Sequence, residues 1–181
     1  MLRSKSASVT NDVYTISLKD SKLEKIKVVM LALRKYRKYY FELNLLRETL
    51  YKEYGIPKEI SFEKLICWEP AMESLQSEII SIRNIHAFLE TLKDAIERLD
   101  RFSKNGKEIY YIMKESYLTE CGKTMVQIAQ DLSISETSCY RLKNVGFRLL
   151  SQYLWDIPIE VNRENNTFMS FYELFKEVCY G

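Results

Sequence analysis

From Leu23 to Tyr54 the chain runs without a single glycine or proline, and Val29, Leu33, Tyr36, Tyr40, Leu43, Leu50 and Tyr54 recur at three- and four-residue steps, with Arg47 alone interrupting the stripe. That spacing predicts one amphipathic helix about 50 Å long, at about 1.5 Å per residue. A helix far longer than the globular average needs a partner along that length. Gly55 and Pro57 end it, Gly as a left-handed cap and Pro as a residue that cannot continue the turn.

A matching stripe follows a loop that reaches about Trp68. It starts near Pro70 and runs Leu75, Ile79, Ile82, His86, Leu89, Leu92, Ile96 and Leu99. Equal period and length make an antiparallel, coiled-coil-like hairpin the simplest burial for both, within one chain or between two. The whole chain has only five glycines and three prolines in 181 residues, too few for the turns of an all-β or doubly wound α/β protein. The expected class is all-α, and 46% hydrophobic residues are enough to build a core.

Shorter helices follow the polar break Ser103, Lys104, Asn105, Gly106. Ile109, Ile112, Met113 and Tyr117 outline one ending near Leu118. Thr124 with Gln127 forms a capping-box signature for another, through about Asp131, and Ser135 is a good N-cap for a third, to about Tyr153. Beyond Trp155, DIPIEVNRENN reads as irregular or weakly extended, with a terminal helix over Phe168 to Val178. The expected division is a mobile basic arm over 1–21, the long hairpin over 22–103, a helix-turn-helix unit over 104–155 and a tail with a short helix over 156–181.

Charge is unevenly spread. Residues 1–40 hold ten basic side chains against three acidic ones, so this stretch is either a phosphate-contacting arm or a solvated run. Cys67, Cys121, Cys139 and Cys179 contain no CxxC pair and His86 is the only histidine, which argues against a zinc site. No signal peptide and no apolar run long enough for a bilayer occur, so free thiols in a reducing cytoplasm are expected. No GxGxxG or GxxxxGK[ST] is present, and His86 lies on an apolar seam without a nucleophile and carboxylate; an enzyme, a metal and a cofactor are all disfavoured. Tyr36, Tyr39, Tyr40, Tyr110 and Tyr111 fall at helical spacing and read as packing residues more than as base-stacking ones.

The informative stretch is TMVQIAQDLSISETSCYRLKNVGFRLL, residues 124–150. Ile128, Ala129 and Leu132 share one face of the first helix, Ile134 lies in the turn, and Cys139, Leu142, Val145 and Gly146 share one face of the second. That is the apolar skeleton of a helix-turn-helix, in which small Ala129 permits a close crossing and Ile134 plugs the corner. Burying these positions, Cys139 among them, leaves Glu136, Thr137, Ser138, Tyr140, Arg141 and Asn144 facing solvent, where a recognition helix meets base edges in the major groove. Arg suits guanine, Asn adenine, and Glu accepts from cytosine. Lys123, Thr124, Ser135, Lys143 and Arg148 are the expected phosphate contacts.

Residues 95–154, above all IAQDLSIS and ETSCYRLKNVGFRLL, resemble the C-terminal domain of phage transcriptional regulators of the RinA and ArpU type, which is similar to region four of bacterial sigma factors. The long-helical stretch Leu23–Leu99 corresponds by architecture to the half that precedes the DNA-binding domain in that family. Ser133 sits where many such turns have Gly, and Gly146 where a small alanine is common. The resemblance implies a sequence-specific activator of phage or prophage late or packaging genes, acting at the nucleoid of a bacterial host. Its expected partners are double-stranded DNA, RNA polymerase and a second copy through the long helices, with no membrane. Two rival readings are a small terminase-like packaging subunit, and an RNA-polymerase-binding protein without DNA readout of its own.

Overall fold

The computed structural model describes residues 22–57, 60, 64, 73–102, 104–162 and 167–180. Among them are six α-helices and one two-stranded sheet, so the protein is all-α in class. Helix α1 spans Lys22–Tyr54 and α2 spans Glu73–Arg98. The expected arm over 1–21, most of the loop to Trp68 and the helix start near Pro70 lie outside the described residues.

α1 forms as its stripe dictates, with one change of phase. Val29, Ala32, Leu33, Tyr36, Tyr39, Leu43 and Leu50 are buried, whereas Tyr40 is 49% exposed. Tyr39 takes the inward place because Phe88 of α2 meets its ring edge-on at 6.0 Å; Tyr40 lies outside, its ring stacked on that of Tyr36 at 6.5 Å. α1 and α2 therefore pack within one chain. α1 ends at Gly55, whose φ of +67° suits glycine and whose N–H donates to Tyr51 O at 3.0 Å.

A 3₁₀ turn, Leu99–Arg101, leads into α3 at Gly106–Tyr117. Gly106, expected in the break, is the first residue of α3. Its backbone lies so close to the preceding turn that a Cβ would sit 2.5 Å from Asp100 O and 2.6 Å from Leu99 O. α4 spans Met125–Asp131 and α5 spans Glu136–Asp156. α5 packs on α3 and α4, and also along α1, so the long helices and the C-terminal helices share one core.

The stretch read as irregular is a β-hairpin. β1, Pro158–Asn162, pairs antiparallel with β2, Thr167–Ser170, with Ile159 opposite Met169 and Glu160 opposite Phe168, and the register shifts between Glu160 and Asn162. Ile159 and Val161 face inward and Glu160 outward, the alternation of a half-buried strand. The hairpin is held by packing on α2, a contact invisible to local periodicity.

The terminal helix α6 therefore begins at Phe171, not Phe168, and ends at Tyr180. Its start is a capping box: Glu173 N–H donates to Ser170 Oγ at 3.2 Å, and Ser170 N–H donates to Glu173 Oε2 at 2.9 Å. The segment read as a tail closes the core. Phe171 is fully buried, stacked on Phe88 at 6.0 Å and met edge-on by Trp155 at 5.9 Å.

Candidate nucleic-acid interface

Both caps read from the sequence are formed. Gln127 N–H donates to Thr124 Oγ1 at 3.3 Å and Thr124 N–H to Gln127 Oε1 at 2.9 Å, while Ser138 N–H donates to Ser135 Oγ at 3.2 Å. These hydroxyls fix where α4 and α5 begin. Between the two helices the chain turns in a Schellman motif: Ile134 N–H donates to Ala129 O at 3.0 Å and Ser133 N–H to Gln130 O at 3.1 Å. Ser133 occupies the left-handed position with φ 54°, where glycine is ordinarily found.

α5 buries Cys139, Leu142, Gly146, Phe147, Leu150 and Leu154. Val145, expected beside them, is only half-buried. Burial pushes the Cys139 thiol up, so it stays a protonated, inert packing group at neutral pH. Gly146 lets α5 lie tight on α3, since a Cβ there would stand 3.0 Å from Met113 Cγ and 3.1 Å from Ile109 Cγ2.

Glu136, Thr137, Tyr140, Arg141, Asn144 and Arg148 are left exposed on α5. Among the described residues Arg141 makes no ion pair, and Arg148 Nε donates only to Asn144 O, at 3.4 Å, along its own helix. Ser138 departs from this row. It is half-buried and accepts from Ser135 Oγ at 2.9 Å, so it belongs to the cap and not to the readout face.

Two of the expected phosphate contacts are placed differently. Lys123 is no free anchor: its ammonium donates to Asp131 Oδ2 and to Tyr111 Oη, each at 2.9 Å, and lies 3.5 Å from Glu115 Oε2. Those hydrogen bonds, Tyr111 first and then Asp131, hold its pKa above the usual lysine value, and Lys123 in turn holds the Asp131 carboxyl below its own. Together they tie α3 to α4. Lys143 turns away from the exposed row and lies half-buried 4.7 Å over the Tyr117 ring, 3.5 Å from Ser116 Oγ and 3.7 Å from Met125 Sδ.

Sequence reasoning missed Arg37. It belongs to the basic run 1–40, yet its Nε donates to Thr119 O at 2.7 Å and its Nη2 to Ser116 O at 2.8 Å, clamping the end of α3. No local signal identifies it, because its partners lie 79 and 82 residues away. His86, read as a core or interface residue, is half-buried on α2. A separate cleft of about 700 Å³ opens where α1, α2 and α3 meet, with Tyr36, Tyr40, Phe41 and Tyr110 among its walls. There burial, then Glu90, pushes Tyr36 up to about 12.

Among the described residues no group of three or more His, Cys, Asp or Glu is placed to hold a metal ion, and no helix is long and apolar enough to cross a membrane. No protein-family model, curated protein or solved structure matches this chain.

Proposed function

We propose that the protein is a sequence-specific DNA-binding transcriptional regulator, with α4 and α5 as its helix-turn-helix and α5 as the recognition helix. The observation that carries this reading is the pairing of a capped, tightly turned α4–α5 unit with a row of exposed hydrogen-bonding side chains on the outer face of α5: Glu136, Thr137, Tyr140, Arg141 and Asn144. Arg141, exposed and without an ion pair among the described residues, suits guanine N7 and O6, and Asn144 is placed one turn further on for adenine. Arg148, and the capped starts of α4 and α5 at Thr124 and Ser135, serve the backbone. The role is that of an activator of phage or prophage genes by the resemblance of residues 95–154 to RinA- and ArpU-type regulators, and it needs no catalysis.

The test is fluorescence anisotropy of the full chain on duplex DNA flanking its own locus and on a scrambled duplex, across a salt series. Preference for the first duplex, lost in Arg141→Ala, supports readout by α5. No preference at any salt removes it.

One observation favours a second reading, docking to RNA polymerase without DNA readout. Phe41 is 68% exposed and lies beside the three-helix cleft, with Leu45 also exposed one turn on. Binding to polymerase that Phe41→Ala abolishes, together with absent DNA preference, would favour it. A ring of eight or more chains in a mass measurement would point instead to a packaging subunit.

A further inference from the structure

The cleft where α1, α2 and α3 meet holds about 700 Å³, within the range of small-molecule sites. Its walls are aromatic. Tyr36 and Tyr40, one turn apart on α1, stack at 6.5 Å with their planes 12° apart, and Phe41 and Tyr110 add two further rings. The cations in these walls are already engaged: Arg37 donates to Ser116 O and Thr119 O, Lys93 lies 3.5 Å from Glu90 Oε2, and the Lys114 ammonium sits 5.6 Å from the Tyr110 ring centroid. Three acceptors in the same walls are not. Glu97 and Glu120 form no ion pair among the described residues, and the Tyr36 hydroxyl makes no hydrogen bond there. Tyr36 is 6% exposed, yet its hydroxyl is not sealed from solvent, so it opens on the cleft. An exposed carboxylate without a cation is ordinary, but these two share one cleft with a buried, unpartnered phenol and the faces of four rings.

We propose that this cleft binds a small organic cation, an alkylammonium or alkylguanidinium ion, whose charge is answered by Glu97 and Glu120 and whose body lies against Tyr36 and Tyr40. What the walls leave unused is electron-rich: carboxylates that accept charge-assisted N–H bonds, a phenol oxygen, and ring faces that attract cations. Lys114 on Tyr110 is a cation from the chain itself already seated on one of these rings. An anion would meet Glu97 and Glu120 with no unengaged cation to offset them. A neutral apolar ligand would desolvate both carboxylates and pair with neither. Burial, and then Glu90, push Tyr36 up to about 12, so at neutral pH its hydroxyl is uncharged and can accept an N–H. The Arg37 guanidinium is turned to carbonyl oxygens at the end of α3, the negative pole of that helix, which offsets its repulsion of a neighbouring cation. Phe41, 68% exposed, gives the cleft an apolar edge for an alkyl chain to cover.

The experiment is a titration of the full chain with butylguanidinium and with butylurea, which has nearly the same shape but no charge, followed by calorimetry and by ligand NMR. No DNA enters it, so its failure leaves the reading of α5 untouched. Butylguanidinium should bind one to one and about tenfold more tightly than butylurea. Its affinity should fall about three- to tenfold in Tyr40→Ala and about fivefold in the double variant Glu97→Gln, Glu120→Gln. Glu177→Gln, on α6 and outside the cleft, should leave it unchanged, and thermal melts show that each variant is folded. Equal affinity for butylguanidinium and butylurea overturns the recognition of charge. Unaltered binding in both cleft variants, or no binding of butylguanidinium by either method at millimolar concentration, overturns the site. An arginine-bearing peptide that binds and is weakened by the same variants, while free butylguanidinium does not bind, overturns the assignment to a small ion in favour of a partner protein's side chain.

Discussion

The guanidinium of Arg37 on α1 lies against Gly122 in the loop before α4, so close that a Cβ on Gly122 would collide with Arg37 Nη2. The same guanidinium binds Ser116 O and Thr119 O, and Gly122 has φ +57°. Gly122→Ala therefore meets two penalties, a left-handed backbone worth about 1–2 kcal/mol and the displacement of Arg37. Arg37→Ala, which strips two carbonyls of a charged donor, should cost about 1–3 kcal/mol. In a double-mutant cycle read by denaturant midpoints, the combined loss should be clearly smaller than the sum, because each change breaks the same clamp.

Ser133→Gly should stabilise the protein. The Schellman turn between α4 and α5 forces Ser133 to φ 54°, and glycine removes that strain while adding some unfolded-state entropy, for a net gain of about 0.5–1 kcal/mol. A rise in denaturant midpoint at unchanged m-value checks it, and a fall would mean that the Ser133 side chain contributes more than its backbone costs.

Arg141→Ala should cost about 1–3 kcal/mol on a preferred duplex and little on a scrambled one. Arg148→Ala should weaken both alike. The ratio of the two affinities, measured by anisotropy at fixed salt, separates a base contact from a phosphate contact.

Burial disfavours the charged form of Lys143 and holds its pKa below the usual lysine value, although the nearby Cys139 raises it and Arg34 lowers it further. In the interval between its folded pKa and about 10.5, the unfolded chain binds more protons, so this group makes stability rise with pH there. Below that interval the burial of the ammonium is a net cost to the folded state. Lys143→Met should accordingly raise the melting temperature at pH 7, with the gain shrinking as the pH approaches 10.5.

Phe171→Ala should cost about 3–5 kcal/mol, because the ring is wholly buried between Phe88 and Trp155 and its loss leaves a cavity between α2, α5 and α6. A loss below about 1 kcal/mol in the denaturant midpoint would mean that residues 156–181 pack loosely on the rest.

Local chemistry made the helices legible. The run without glycine or proline, the three- and four-residue stripes, the Gly55 stop, the Thr124–Gln127 box and the Ser135 cap each act within one turn of the residue concerned, and each is present in the structure. The capping box Ser170–Glu173 is equally written in the chain, but Phe168 and Met169, expected in the terminal helix, pair with β1 instead.

The sequence by itself determined the all-α class, the C-terminal end of α1, both ends of α4, the start of α5, and the exposed row from Glu136 to Arg148 apart from Ser138, because propensity, capping and periodicity are short-range; α5 runs on to Asp156, past the expected end near Tyr153. Only the tertiary structure decided that α1 pairs with α2 in its own chain and also lines α5, that Tyr39 and not Tyr40 is buried, and that residues 158–170 make a hairpin. It alone sorted the cations. Lys123 is tied to Asp131, Arg37 to two carbonyls, and Lys143 to the face of the Tyr117 ring. A charge carries no mark in the sequence of the partner it will meet, since that partner can lie eighty residues away and is set by how whole helices pack.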